Sequence, residues 1–317
     1  DGGCEGEAMD LHAEEDDLFE GIDEDLWFGL DDGESADQAA ASSLAAEVAR
    51  ITGLKPFPAV ARRIVAELSV EDWSTHRVAT MMESDPSLAA TLLKIANSTF
   101  YAANGRTSQD VREAVVKLGG QRVRELVMGL ATLQLLNGRG RLARRCRDHC
   151  AGTAAISRVL AGVVGIPPGS LFVAGLLHDA GRMLLMESGE IEYAKLESRG
   201  KDEVPLIERE TLGFDHAVLG GHVLKAWGMM EPVPKLVAWH HHPARAWSGG
   251  GEVATQLAVL RFADHICDAM ENPEQDPTWR ELTEGPEGEW AGLSEHRVTT
   301  LWRMLEGARA ETLAIFA

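Results

Sequence analysis

From Leu44 onward, apolar residues recur at intervals of three and four almost without interruption, and this spacing constrains the chain more than any other feature. The segments 44–52, 58–68, 86–97, 109–118 and 120–136 carry it, and a second run from about 141 to 270 continues it. Such spacing lines one face of a helix, whereas a half-buried strand needs strict alternation. Alternating stretches are absent apart from short ambiguous fragments. Gly53, Pro56, Pro58, Gly105 and Gly119-Gly120 mark the stops. Asp85 before Pro86 reads as an N-cap followed by proline at the first helical position. The expected fold class is all-α, with long helices and short connections.

Charge divides the chain unevenly. The formal net charge is −20, yet residues 1–40 hold 16 carboxylates and no Lys or Arg, leaving 34 acids against 30 bases in the remainder. A nearly neutral globule therefore follows an acidic segment, 1–42, whose charge density favours disorder. Leu18, Phe19, Ile22, Leu26, Trp27, Phe28 and Leu30 within it suggest docking against a partner or against the chain itself. Two helical lobes are expected, 43–140 and 141–270, followed within 271–317 by a surface loop rich in Pro and Glu over 271–289 and a C-terminal helical segment over 293–316. Without a basic stripe, duplex nucleic acid is not an expected partner.

Val159 to Leu177 is an uncharged run of 19 residues, near membrane-spanning length. Gly165, Pro167, Pro168, Gly169 and Ser170 break it into a helix end, a turn and a new helix, so no membrane association is expected. The four cysteines are too few for a disulfide framework, and Cys146 and Cys150 lack a CxxC spacing. They read as free, mostly buried thiols of a cytoplasmic protein.

Eight of the eleven histidines lie between positions 149 and 265. His149, His178 and His216 each continue an apolar stripe of a different helix, His240 follows Val233 and Leu236, and Asp264 is in line with Leu257, Leu260 and Cys267. A buried carboxylate is costly unless it is paired or holds a metal. One shared cation would satisfy these inward groups, with Asp179 beside His178, more simply than separate hydrogen bonds would. Imidazole with carboxylate suits a divalent transition metal such as Fe, Mn, Ni or Zn.

Gly175-Leu-Leu-His-Asp-Ala-Gly-Arg182 resembles the GLLHDIGK signature of the HD superfamily of metal-dependent phosphohydrolases. The resemblance implies a metal set of His149, His178, Asp179 and Asp264, and His216, His240 and His241 are similar to the further histidines of its binuclear HD-GYP branch. Asp85-Pro-Ser-Leu-Ala-Ala-Thr-Leu-Leu-Lys-Ile-Ala-Asn-Ser-Thr-Phe-Tyr101, the 107–120 segment, Glu208 to Ala217 and Trp227-Gly-Met-Met-Glu-Pro232 narrow the match. Together they resemble HDOD proteins, the HD-related output domains, over roughly residues 48–268.

That likeness implies a bacterial signalling module that acts through protein contacts, here with the full HD ligand set kept and one or two metal ions. It identifies the 43–140 lobe with the HDOD block and 141–270 with an HD-like bundle. It also implies an alternative, a metal-dependent phosphohydrolase or phosphodiesterase acting on a nucleotide or other phosphoester. There Asp179 would serve catalysis and Arg182 would hold a phosphate. Ala244 to Gly251, after the triple histidine, contains no Gly-Tyr-Pro, which argues against cyclic dinucleotide hydrolysis of the HD-GYP kind.

Overall fold

In a computed structural model of the protein, residues 23–27, 34–99, 101, 107–136, 138–196, 199, 203–274 and 278–316 are described. Among them the secondary structure is helical throughout, as the apolar spacing requires, and no strand occurs. A 3₁₀ turn at Glu24–Leu26 precedes α1 (Glu34–Leu54), α2 (Ala59–Glu67), α3 (Thr75–Glu83), α4 (Pro86–Ala96), α5 (Val111–Leu118) and α6 (Gly120–Leu135). The second half holds α7 (Arg141–Val164), α8 (Gly169–Leu177), α9 (Ala180–Ser188), α10 (Glu203–Leu212), α11 (His216–Ala226), α12 (Val233–Trp239), α13 (Ala244–Gly249) and α14 (Gly251–Glu271). The chain closes with α15 (Trp279–Leu282), α16 (Pro286–Ala291) and α17 (Glu295–Phe316).

The helix starts follow local chemistry. Asp85 accepts from the Leu88 N–H at 3.0 Å with Pro86 at the first position of α4, and Asp110 and Asp215 cap α5 and α11 in the same way. Between α4 and α5 the Asn97 side chain clamps Ser108, donating to its carbonyl at 2.9 Å and accepting from its N–H at 2.7 Å.

At the centre lies α7. Its buried residues include Ala151, Gly152, Ala154, Ala155 and Ala161, small enough to admit neighbours on several sides. It packs against α8, α14 and α17. One continuous cluster of buried apolar side chains extends from Trp27 through both halves of the chain to Leu305. The final helix bridges the halves: α17 lies on α7, while Glu311 accepts from the Thr99 N–H at 2.6 Å and Lys94 donates to the Ile315 carbonyl at 3.1 Å.

Two glycines of the His178-Asp179 segment explain how its helices approach so closely. A Cβ on Gly175 would lie 2.7 Å from the Ala154 Cα of α7, and one on Gly181 would lie 2.0 Å from the His216 carbonyl of α11. Both obstacles are backbone, so no side-chain rearrangement relieves them.

Two expected boundaries are corrected. The acidic segment is not wholly a disordered tail, for α1 begins at Glu34, where its apolar face packs on α11. Leu26 is fully buried and Trp27 is 7% exposed. Ion pairs Lys225–Asp23 and Lys235–Asp25, with the Trp239 Nε1–H donated to the Asp25 carbonyl at 3.0 Å, strap residues 23–27 across α11 and α12. Apolar burial thus overrides local charge repulsion there. Leu18, Phe19, Ile22, Phe28 and Leu30 lie outside the described residues. The polar 271–289 stretch, expected as a loop, contains α15 and the start of α16, pinned by the buried Trp279 and by Arg261–Glu287 at 2.8 Å.

Replacing Gly181 with alanine should cost about 3 kcal/mol in denaturant unfolding, because the α9–α11 crossing must separate. A cost near zero would show the crossing to be loose. A second expectation concerns His222, which accepts from the Asp23 N–H at 3.1 Å and whose pKa burial lowers to about 4. An unfolded histidine takes its proton below about pH 6.5. The folded ring refuses that proton until about pH 4, so its contribution to stability is lost as pH falls across that interval. Hydrogen exchange at residues 23–27 should lose protection over that range, and pH-independent protection would contradict the docking.

Candidate metal centre

The inward polar residues meet at helix breaks. His178 ends α8 and Asp179 stands at the N-cap position of α9, with its carboxylate making no capping bond. His216 opens α11 and His240 closes α12, while His149 and Asp264 project from the interiors of α7 and α14. These six residues are between 1% and 7% exposed. His241 lies beside them, half-buried.

The structure brings all of them together. His149 Nε2 is 2.9 Å from Asp264 Oδ1, and His178 Nε2 is 3.5 Å from the same oxygen and 3.8 Å from Asp179 Oδ2. His216 Nε2 is 3.1 Å from Asp179 Oδ1 and 3.2 Å from His241 Nε2. Ring centroids link His149 to His178 at 5.3 Å, His178 to His240 at 5.3 Å and His240 to His241 at 4.0 Å. Asp179 Oδ2 also receives Arg182 at 3.5 Å, with the guanidinium over the Tyr193 ring.

Two rings reveal what the centre lacks among protein groups. His178 donates Nδ1–H to the Gly175 carbonyl at 2.9 Å, and His240 donates to the Val237 carbonyl at 2.6 Å. Each bond leaves Nε2 as the lone-pair nitrogen of the neutral ring. Both Nε2 atoms are buried without a hydrogen-bond partner, and that of His178 faces two carboxylate oxygens. Lone pairs facing carboxylates repel unless a proton or a metal cation lies between them, and buried polar atoms without partners are costly. The residues present fit a metal: His149, His178 and Asp179 place ligand atoms within 4.8 Å of one another, as do His216, His240 and His241, and as do His149, Asp264 and Asp268.

Protons answer part of this need. Burial opposes charge on His216, but Glu208 and Asp179 outweigh it and push the pKa up to about 10. Burial is likewise overcome at His149, which Asp268, Cys267 and Asp264 hold well above the usual imidazole range. Asp179 stays well below the usual carboxylate range, since His178, His216 and Arg182 outweigh its burial. His240 moves the other way: burial and the neighbouring His178 and His216 bring it down to about 3.

Sequence reasoning missed several members of this centre. Glu208, fully buried, accepts from His216 Nδ1 at 2.6 Å, from the His216 N–H at 2.8 Å and from the Tyr193 hydroxyl at 2.6 Å. Its place four residues from Val204 and from Leu212 was the available signal. Asp268 and Glu271 lie 3.5 and 3.4 Å from His149 Nδ1, one and two turns beyond Asp264 on α14. His242 sits outside the centre, in an ion-paired group with Arg209 and the buried Asp215. His222 and His265 are buried elsewhere, His265 bonded to Thr278 at 2.6 Å.

A ligand histidine must give up its proton to bind a metal. Zinc affinity should therefore rise with pH, by at most about tenfold per pH unit, as the His149 proton is displaced. Chelator-competition titrations check this, and a flat profile would contradict a ligand role for His149.

No helix among the described residues is long and apolar enough to cross a membrane. A Treponema pallidum (strain Nichols) protein, described only as uncharacterized, is 24% identical over 246 residues, which are 76% of this chain and 48% of that protein. The chain thus spans about half the length of that relative. A Geobacter sulfurreducens HDOD domain protein of unknown function has TM-score 0.65 and 22% identity, over 86% of this chain and 98% of that one. A Shewanella amazonensis SB2B protein provisionally described as a phosphohydrolase gives TM-score 0.63 and 22% identity, over 87% and 98%. A Marinobacter aquaeolei VT8 protein provisionally described as a signal transduction protein gives 0.60 and 23%, over 87% and 65%. At these identities the likeness carries the fold. The sequence profile of the HDOD domain matches residues 54–243, and the chain belongs to the HDOD domain family.

Proposed function

We propose that the chain is a regulatory signal-transduction protein that acts through contacts with partner proteins, with a divalent transition metal holding its helices in register. The observation that carries this reading is the enclosure of the donor set, each of whose six innermost residues is at most 7% exposed. Catalytic metals keep a position open to water and substrate, whereas structural ones are closed by protein groups. His149, His178, Asp179 and Asp264 would hold the ion, and His216, His240 and His241 a second. Imidazole and carboxylate donors favour Fe, Mn, Ni or Zn. The donors come from α7, the α8–α9 break, α11, α12 and α14, so ion occupancy bears on how these helices sit together.

A phosphohydrolase is the second reading, and Arg182 is the observation that favours it. Its side chain is 31% exposed beside Asp179. A bound divalent ion would activate a water and polarise a phosphoryl oxygen. In that reading Asp179 serves the reacting centre and Arg182 holds the phosphate of a nucleotide or other phosphoester.

Chelation of the purified protein, followed by zinc or manganese restored at about a hundred times the dissociation constant, should raise the melting temperature by roughly 5 °C. The same replete sample should turn over neither nucleotides, cyclic dinucleotides nor simple phosphomonoesters. An unchanged melting temperature would remove the structural metal. Turnover lost in Arg182→Ala through a raised KM would instead establish the second reading.

A further inference from the structure

On α7, Cys146, His149 and Cys150 stand at positions i, i+3 and i+4, so all three share one helix face. The imidazole between them belongs to the centre described above. The two thiols sit on the same side, Cys150 fully buried and Cys146 nearly so. Cys146 Sγ lies 3.8 Å from Asp179 Oδ2. Both sulfurs and an Asp179 oxygen fall within 4.8 Å of one another.

We propose that Cys146, Cys150 and Asp179 form a thiolate-rich cation site of their own, suited to zinc. It deepens the metal reading above and rests on it only through Asp179, which both sites share. A tetrahedral zinc with a Zn–S bond of about 2.3 Å and a Zn–O bond of about 2.1 Å sets sulfur and oxygen about 3.6 Å apart, close to the 3.8 Å between Cys146 and Asp179. Charge supports the assignment as well. Two thiolates and one carboxylate bring three negative charges, which a divalent ion and the adjacent Arg182 guanidinium neutralise. A buried cluster balanced in this way avoids the penalty that isolated charges would carry. Thiolates also select softer ions than the neighbouring imidazole–carboxylate set does, so the two sites differ in the metal they prefer. Asp179 can serve both as a bridging ligand, because its Oδ2 lies 3.8 Å from Cys146 Sγ and 3.8 Å from His178 Nε2. The ordinary alternative is that both cysteines simply fill space as small apolar residues.

Anaerobic titration of the full, metal-stripped chain with cobalt(II) separates these accounts. The site predicts a near-ultraviolet thiolate-to-cobalt charge-transfer band, abolished in Cys146→Ser/Cys150→Ser and retained in Cys4→Ser/Cys267→Ala. Bound zinc, by elemental analysis, should fall by one ion per chain in the double serine variant while helical circular dichroism stays unchanged. Each single serine variant should weaken the band, which keeps the test informative if the double variant folds poorly. His178→Ala should leave the band in place while lowering total metal, so failure of the imidazole–carboxylate site reads separately. Absence of the band in the wild-type protein, or its persistence in the double serine variant, overturns the proposal.

Discussion

Burying ionisable groups is the constraint on which the second half of this chain depends. Each imidazole and carboxylate of the centre leaves water when its helix packs, and each loses hydration that apolar neighbours cannot replace. The interior meets this cost by convergence: Asp264 is shared by His149 and His178, and Asp179 by His178, His216 and Arg182. Helices that carry these groups cannot shift independently without stranding a charge. The polar cluster therefore fixes which helices are neighbours, while the apolar cluster around it supplies most of the driving force.

Helix interruption turns that constraint into geometry. A continuous helix through 169–188 would send His178 and Asp179 in directions set by its own repeat. The break after Leu177 instead turns the carboxylate inward at the start of α9, where the partial positive charge of a helix N-terminus favours an anion. His216 at the opening of α11 and His240 at the close of α12 repeat the pattern. Helix ends bear backbone groups that need outside partners, so they are natural places to bring side chains together. Arg261 adds a tie, donating to the His240 carbonyl and to Glu287 of α16.

The fold class was legible because helical spacing is a local signal, repeated over most of the chain. The inward placement of His149, His178, His216 and Asp264 was legible for the same reason, since each continues an apolar stripe. Their convergence was inferred from the cost of burying each separately and from likeness to a known motif, because spacing within a helix says nothing of what lies across from it. Glu208 escaped because, among Glu203, Arg209 and Glu210 on α10, it reads as one more solvated charge, and Leu26 and Trp27 because sixteen nearby carboxylates mask the burial of a few apolar side chains. The short helices α15 and α16 escaped because tertiary anchors at Trp279 and Glu287, rather than periodicity, sustain them.

The crossing of α9 over α11 has a mechanical consequence. Where Gly181 meets the His216 carbonyl and Gly220, main chain rests on main chain with no side-chain layer between. Such a contact leaves no side chain to repack as the helices slide, so α9 and α11 would move together and keep Asp179 beside His216. The strap of residues 23–27 grips α11 through Asp23, with Lys225 and His222, and α12 through Asp25, with Lys235 and Trp239, so a displaced strap would pull on His216 and His240 together.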